Sequence, residues 1–159
     1  MAEREQVNFD APESLDEKLV AQHTHAIASG QAIDRPIYDF ALHSPSGHYE
    51  RIEPADFVIA EGLFALHWEC VRSCASLRVY VKTPHEVCLA RKIERDVRER
   101  GRTEEFARSQ YERFVRPMCD LYIVPSATHA ELVLDGEQPL VTSVSLLLDE
   151  VNRTLQRSR

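Results

Sequence analysis

Three short apolar runs, Phe57-Val-Ile-Ala60, Leu77-Arg-Val-Tyr-Val81 and Leu132-Val-Leu134, are separated by stretches with helical patterning. Runs this short suit buried strands better than buried helices. Strands that alternate with helices are joined by crossover connections, and this points to an α/β fold with a parallel sheet and flanking helices. At 159 residues the chain is long enough to enclose a real core, so a single domain over residues 1–159 is expected.

The remaining elements follow from local chemistry. Ser14-Leu-Asp-Glu17 has the form of a capping box and opens a helix expected to run to about Ser29, with Gly30 at its C-terminal end. Ile33 to His43 reads as an extended segment and loop, and Ser44-Pro-Ser-Gly47 as a turn. Glu61-Gly62 stops the first strand, and a short helix is expected from Leu63 to Cys74. Thr83-Pro84-His85-Glu86 combines a second capping box with a proline suited to a first helical position. That helix turns Val87, Leu89, Ile93 and Val97 inward and ends at Gly101. Thr103 starts another helix, expected to stop before Pro117, and an amphipathic helix covers about Val141 to Leu155.

The net charge of −7 argues against a general nucleic-acid or anionic-membrane binder. No stretch of about 18 apolar residues is present. The first residues lack the apolar core of a signal peptide, so a cytoplasmic location is expected. The four cysteines are Cys70, Cys74, Cys88 and Cys119. His67, Cys70 and Cys74 are spaced like ordinary positions on a short helix, and no fourth zinc ligand accompanies them.

Against this acidic background one stretch is basic. From Arg91 to Arg102 there are six basic and three acidic side chains, a local balance of +3. Arginine offers a rigid fork of donors to phosphate oxygens, so a cationic helix ending in Arg100-Gly101-Arg102 suits a polyphosphate. Arg91, Arg95 and Arg98 share one helical face, where Glu94, Asp96 and Glu99 can also pair with them. Solvated pairing of that kind is the usual state of a charged helix.

Several motifs, taken in order, resemble the uridine/cytidine kinases of the phosphoribulokinase–uridine kinase superfamily. They are Asn8-Phe9-Asp10 with Pro12, Pro36-Ile-Tyr-Asp-Phe40 with His43-Ser44, Pro54-Ala-Asp56 through Glu61-Gly62, Arg91 through Gln110-Tyr111, and Pro125 with Ala130 to Val133. The likeness extends over about residues 7 to 150. It implies a P-loop-kinase-like parallel sheet, with ATP and Mg2+ as cofactors and a pyrimidine nucleoside as partner. The implied reaction is phosphoryl transfer to the nucleoside 5′-hydroxyl.

The resemblance also assigns residues. Asp10 is matched to the carboxylate that holds the ribose hydroxyls; the alternative is a surface turn before Pro12. Tyr38, Phe40 and His43 are matched to the base pocket, with core packing as the alternative for the two aromatics and an exposed loop for His43. Glu61 is matched to a magnesium or water contact at a strand end, or is simply a polar strand terminus. Arg95, Arg100 and Arg102 are matched to catalytic contacts of a lid over about residues 91–111, and Arg91 and Lys92 to nucleotide contacts. Lys92 stands where the family often has a second arginine. Gln110 is matched to a nucleoside contact, with an exposed helix position as the alternative.

The family also carries a Gly-x-x-x-x-Gly-Lys-Ser/Thr loop after its first strand, and a second strand bearing an aspartate thought to act as base. The five glycines here, Gly30, Gly47, Gly62, Gly101 and Gly136, begin no such pattern. The expectation is therefore an N-terminally incomplete domain without its first strand and catalytic strand, inactive or nearly so alone. A non-catalytic nucleoside-binding remnant, a homo-oligomer, or a split kinase whose partner supplies the absent segment is also compatible. In the family the P-loop strand lies between the strands matched by Phe57–Ala60 and Leu77–Val81. Those two strands must then close on each other, or something else must fill the gap.

Overall fold

The structure is a computed structural model that describes residues 8–39 and 44–157. Its fold is α/β, with a small parallel sheet and flanking helices. The described chain divides into two compact units, one from Asp16 to Cys74 and the other formed by the residues up to Leu15 together with those from Ala75 on.

In the unit from Asp16 to Cys74, helix α1 spans Glu17–Ala28. Its cap is Asp16, whose carboxylate accepts the Leu19 N–H at 3.0 Å. The expected capping box on Ser14 does not form. The Ser14 hydroxyl instead bonds the carbonyls of Phe9 and Ala11, closing a 3-10 turn over Pro12–Ser14. Gly30 lies just beyond α1 with φ of 75°. Where an extended segment and a turn were expected, two strands pair antiparallel, β1 (Ile33–Asp39) and β2 (Ser44–Ile52). An irregularity between Pro36 and Tyr38 absorbs the proline, which has no N–H to give to the ladder. Helix α2 is only Glu69–Arg72, shorter than expected, but Phe64, Trp68 and Val71 are buried around it.

Phe57–Ala60 is not a strand. Among the described residues nothing pairs with it, and Phe57, Val58 and Ile59 are exposed, Ile59 by 88%. An apolar run becomes a buried strand only when neighbouring strands take up its backbone groups, and none does so here.

The second unit holds the parallel pair β3 (Val79–Lys82) and β4 (Leu132–Asp135), in register from Val79 opposite Leu132 to Lys82 opposite Asp135. At the start of the pair, Glu131 accepts from both the Arg78 backbone N–H and its guanidinium. Helix α3 (His85–Arg100) follows β3 after Thr83-Pro84, with no side-chain cap at its start. Gly101 ends it in the left-handed conformation, φ 62°, a geometry that costs glycine little.

Thr103 caps α4 (Glu104–Gln110), its hydroxyl accepting the Phe106 N–H. The helical path does not stop before Pro117. It continues through a π-helical stretch (Tyr111–Val115), α5 (Arg116–Met118), a second π-helical stretch (Cys119–Ile123), α6 (Val124–Ser126) and a 3-10 turn (Ala127–His129). Pro117 and Pro125 each sit just after a π stretch. A widened turn relieves the clash and the lost hydrogen bond that a proline brings to a regular helix. The last helix, α7, covers Leu140–Arg157. Much of its apolar surface is exposed, including Leu140, Val141 and Leu148. No helix among the described residues is long and apolar enough to cross a membrane.

The β4–α7 turn approaches the end of β3 closely. The Gly136 N–H donates to the Lys82 carbonyl at 2.8 Å, and a Cβ at Gly136 would lie 1.9 Å from Thr83 Oγ1 and 3.1 Å from the Lys82 carbonyl oxygen. Gly136→Ala should therefore destabilise the chain by about 1–3 kcal/mol, read as a lower urea midpoint. A change of less than about 0.5 kcal/mol, the size typical of an innocuous surface substitution, would mean that the turn is not packed this tightly.

Candidate functional site

The basic stretch folds around one carboxylate. Asp96 lies on α3 and is fully buried, at 0% exposure. Its Oδ2 meets Lys92 Nζ at 2.5 Å and Arg102 Nη1 at 3.5 Å. Its Oδ1 meets Arg100 Nη1 at 3.2 Å and Arg95 Nε at 3.6 Å. Lys92, Asp96 and Arg100 follow one another at intervals of four, which stacks them on one face of the helix. Arg102 returns to the same place because Gly101 reverses the chain. The N–H groups of Gly101 and Arg102 both donate to the Asp96 carbonyl. The Arg102 guanidinium also lies 5.3 Å over the Phe106 ring.

Solvated pairing along this face, the ordinary outcome for a charged helix, therefore fails at Asp96. It holds at Arg98, whose exposed guanidinium pairs with Glu94 and Glu99. Val97, expected inside, is 46% exposed, and the helix turns its aspartate inward in its place. The Lys92–Asp96–Arg100 spacing was present in the sequence and could have suggested this. Burial pushes the Asp96 carboxyl up, but the hydrogen bond from Lys92 and the charges of Lys92, Arg100 and Arg102 outweigh it and hold the carboxyl below its usual range.

Asp10 belongs to the same unit and feels the same charges. The segment that carries it is knotted locally: the Asn8 side-chain oxygen accepts the Asp10 N–H at 3.1 Å, and Ser14 ties back to Phe9 and Ala11. Pro12, in the same segment, is buried. Burial raises the Asp10 carboxyl above its usual range; the cations Lys92 and Arg95 pull it partly back, and the Asp96 carboxylate adds to the rise. A half-buried carboxylate thus stands at the edge of the cationic cluster.

The other expected site residues are distributed differently. Arg91 has no ion pair to Asp96, and its guanidinium donates to the Gly136 carbonyl at 2.8 Å, in the β4–α7 turn. Gln110 is half-buried at the end of α4. The neighbouring Tyr111 is buried and bonded to His85: its hydroxyl donates to the His85 carbonyl at 3.1 Å and lies 2.9 Å from His85 Nδ1. His85 Nε2 lies 2.9 Å from Asp120, so the start of α3 is fastened to the helical path after Gln110. Burial, with smaller contributions from Cys88 and Cys119, pushes the Tyr111 hydroxyl up to about 12.

Tyr38, on β1, and Glu61 belong to the unit from Asp16 to Cys74, and both are exposed. Glu61 does not end a strand, because the preceding run forms none. Phe40 and His43 lie outside the described residues. All four cysteines are free thiols, and among the described residues no group of three or more His, Cys, Asp or Glu side chains could hold a metal ion.

Sequence comparison with known proteins points to one family. The sequence model of the Phosphoribulokinase / Uridine kinase family matches residues 1–141. The chain is 34% identical over 157 residues to a uridine kinase of Halalkalibacterium halodurans, covering 98% of this chain and 74% of that protein. It is 34% identical over 155 residues to a uridine kinase of Pasteurella multocida, covering 98% of this chain and 72% of that one. A uridine kinase of Klebsiella pneumoniae is 37% identical over 134 residues, 84% of this chain and 63% of the relative.

The lowered Asp96 carboxyl carries a pH signature. Its stabilising contribution is complete above the ordinary unfolded value of 3.8 and is lost as pH falls through the lower folded value. Asp96→Asn should cost about 1.5–3 kcal/mol at pH 7, and the variant's urea midpoint should fall less steeply than the wild type's below about pH 4. Parallel acid limbs would show that Asp96 is not held by these cations.

Proposed function

This chain belongs to the phosphoribulokinase/uridine kinase family, and on that footing we propose that it serves phosphoryl transfer from ATP to the 5′-hydroxyl of a pyrimidine nucleoside. The observation that carries this reading is the gathering of Lys92, Arg95, Arg100 and Arg102 around Asp96, with Asp10, a half-buried carboxylate of the same unit, under the field of Lys92 and Arg95. A carboxylate can accept from both ribose hydroxyls, and a cation cluster beside it suits the phosphates that must meet the 5′ end. Phosphoryl transfer is catalysed chiefly by positioning and by neutralising charge that spreads over the transferred group. Arg95, Arg100 and Arg102 are proposed for that neutralisation and Lys92 for the nucleotide. Arg91, whose guanidinium is held at the β4–α7 turn, is proposed for the nucleotide beside Lys92. Gln110 is proposed for a nucleoside contact, and the family resemblance assigns Tyr38, Phe40 and His43 to the base. Magnesium is expected from the family, but the described residues around Glu61 form no donor set for it. A cytoplasmic location goes with the nucleoside and ATP this reading requires.

A second reading has its own observation. Among the described residues β3 pairs with β4 alone, while Phe57, Val58 and Ile59 stay exposed without a partner. Unpaired strand edges and exposed apolar runs are surfaces that another polypeptide can complete. The chain would then act with a partner that supplies a strand and the phosphate loop, and no Gly-x-x-x-x-Gly-Lys pattern occurs in these 159 residues. Both readings give one expectation for the purified 159-residue chain: uridine is phosphorylated slowly or not at all. Turnover above about 1 s⁻¹ would overturn it, and fusion to a family-type N-terminal segment should restore activity.

In that fusion, Arg95→Ala and Arg102→Ala should each lower kcat by about 10²–10³-fold, the range seen when one transition-state donor is removed. Arg98→Ala, which removes a solvated guanidinium, should change it little. Equal losses from all three would point to a general cationic face. Asp10→Asn should weaken uridine about 10- to 150-fold, the equivalent of one charge-assisted hydrogen bond, while leaving ATP affinity nearly unchanged. If the variant keeps the wild-type preference for uridine over a 2′,3′-dideoxy analogue, Asp10 is a turn residue only.

A further inference from the structure

We propose that Asp96 is the positioning residue of the phosphate-facing cluster, its buried carboxylate holding Lys92, Arg95, Arg100 and Arg102 in the arrangement that a triphosphate tail meets. The proposal rests on the phosphate reading above and adds the residue that organises it. Asp96 is at 0% exposure, so it touches no ligand itself and acts through its neighbours. Each of its two oxygens serves two cations, Lys92 and Arg102 on Oδ2 and Arg95 and Arg100 on Oδ1. A guanidinium has five donors and an ammonium three, so one contact each leaves donors on every cation. Four cations around Asp96, with Asp10 and Glu99 as further carboxylates facing some of them, still leave the cluster positive.

Without an anion at the centre, four like charges this close repel one another, and long flexible side chains escape into water at little cost. Asp96 opposes that escape twice. Its side chain gathers the charges, and its backbone carbonyl accepts the N–H groups of Gly101 and Arg102 in the left-handed turn that returns Arg102 to the helix. The same residue thus fixes both the end of α3 and the place of the arginine beyond it. A cluster ordered before the ligand arrives loses less conformational freedom on binding, which favours affinity.

Charge and position make opposite predictions at this residue. Asp96→Asn makes the cluster more positive by one charge. If net charge governs, the variant binds a polyanion more tightly; if position governs, it binds more weakly. The probe is inorganic tripolyphosphate, titrated calorimetrically against the full chain and its variants. We expect Asp96→Asn to weaken binding at least 10-fold and the exposed Arg98→Gln to change it less than about 2-fold. Asp96→Glu keeps the charge and moves the oxygens by one methylene, and it should weaken binding several-fold, which decides the matter if Asp96→Asn fails to fold. A second readout needs no ligand. The guanidinium signals of Arg95 (Nε–H) and of Arg100 and Arg102 (Nη–H) should be resolved and slow to exchange in the wild-type NMR spectrum and collapse toward the free-arginine position in Asp96→Asn. Equal or tighter tripolyphosphate binding by Asp96→Asn, or unchanged arginine signals, would overturn the role of Asp96 and leave the phosphate reading standing. A wild-type chain with ordered arginine signals that does not bind tripolyphosphate would overturn the phosphate reading itself.

Discussion

A carboxylate with no access to water survives in a folded protein only if cations and donors replace the water it has lost. Asp96 meets that condition with four cations and so becomes the point around which this unit is arranged. The end of α3, the return of the chain at Gly101 and the placement of Arg102 over Phe106 all follow from keeping those partners within reach. The same field reaches Asp10, at the other end of the sequence of this unit, and offsets part of what burial costs its carboxyl. A structural requirement and the binding surface proposed above would thus be built from the same side chains.

The parallel sheet has a different character. Two strands give α7 little to cover, and the helix keeps Leu140, Val141 and Leu148 in water. Leu134 is buried while Val81 and Val133 are exposed, so only part of the sheet's apolar surface is enclosed. Stability in this unit rests less on a wide apolar core than on local fastenings. These are the Glu131–Arg78 pair at one end of the strands, the Gly136–Lys82 bond at the other, and the His85–Tyr111–Asp120 set beside them.

What the sequence made legible was what local chemistry decides. Gly101 ends α3, Thr103 caps α4, and the β3 and β4 runs lie within two residues of their expected places. What it hid depended on distant neighbours. Phe57–Ala60 is apolar enough for a strand, but a strand also needs a ladder, and composition cannot say whether one is present. Pro36 and Gly47 disguised the β1–β2 hairpin, because both residues ordinarily mark turns and here sit within strands. Asp96 looked like one of three solvated acids on a charged helix, and only the return of Arg102 from outside the helix shows why it is inside. Motif order pointed to the family to which the chain belongs, while the cluster around Asp96 came from geometry.

The π-helical stretches explain why the region after Thr103 resists reading by helical period. From 107 to 129 the exposed positions fall in pairs, 108–109, 112–113, 116–117, 120–121, 124–125 and 128–129, and every position between them is buried or half-buried. That is a repeat of four residues. A regular helix advances about 100° per residue, so a four-residue stripe slips by about 40° at each step and would wind about 200° around the helix between 107 and 127. Each π stretch takes up about one extra residue, or about 100°, and the two together cancel the slip. The helical path can therefore keep one straight edge toward the rest of its unit along its whole length, at the cost of a periodicity that neither a 3.6- nor a 3.5-residue template would detect.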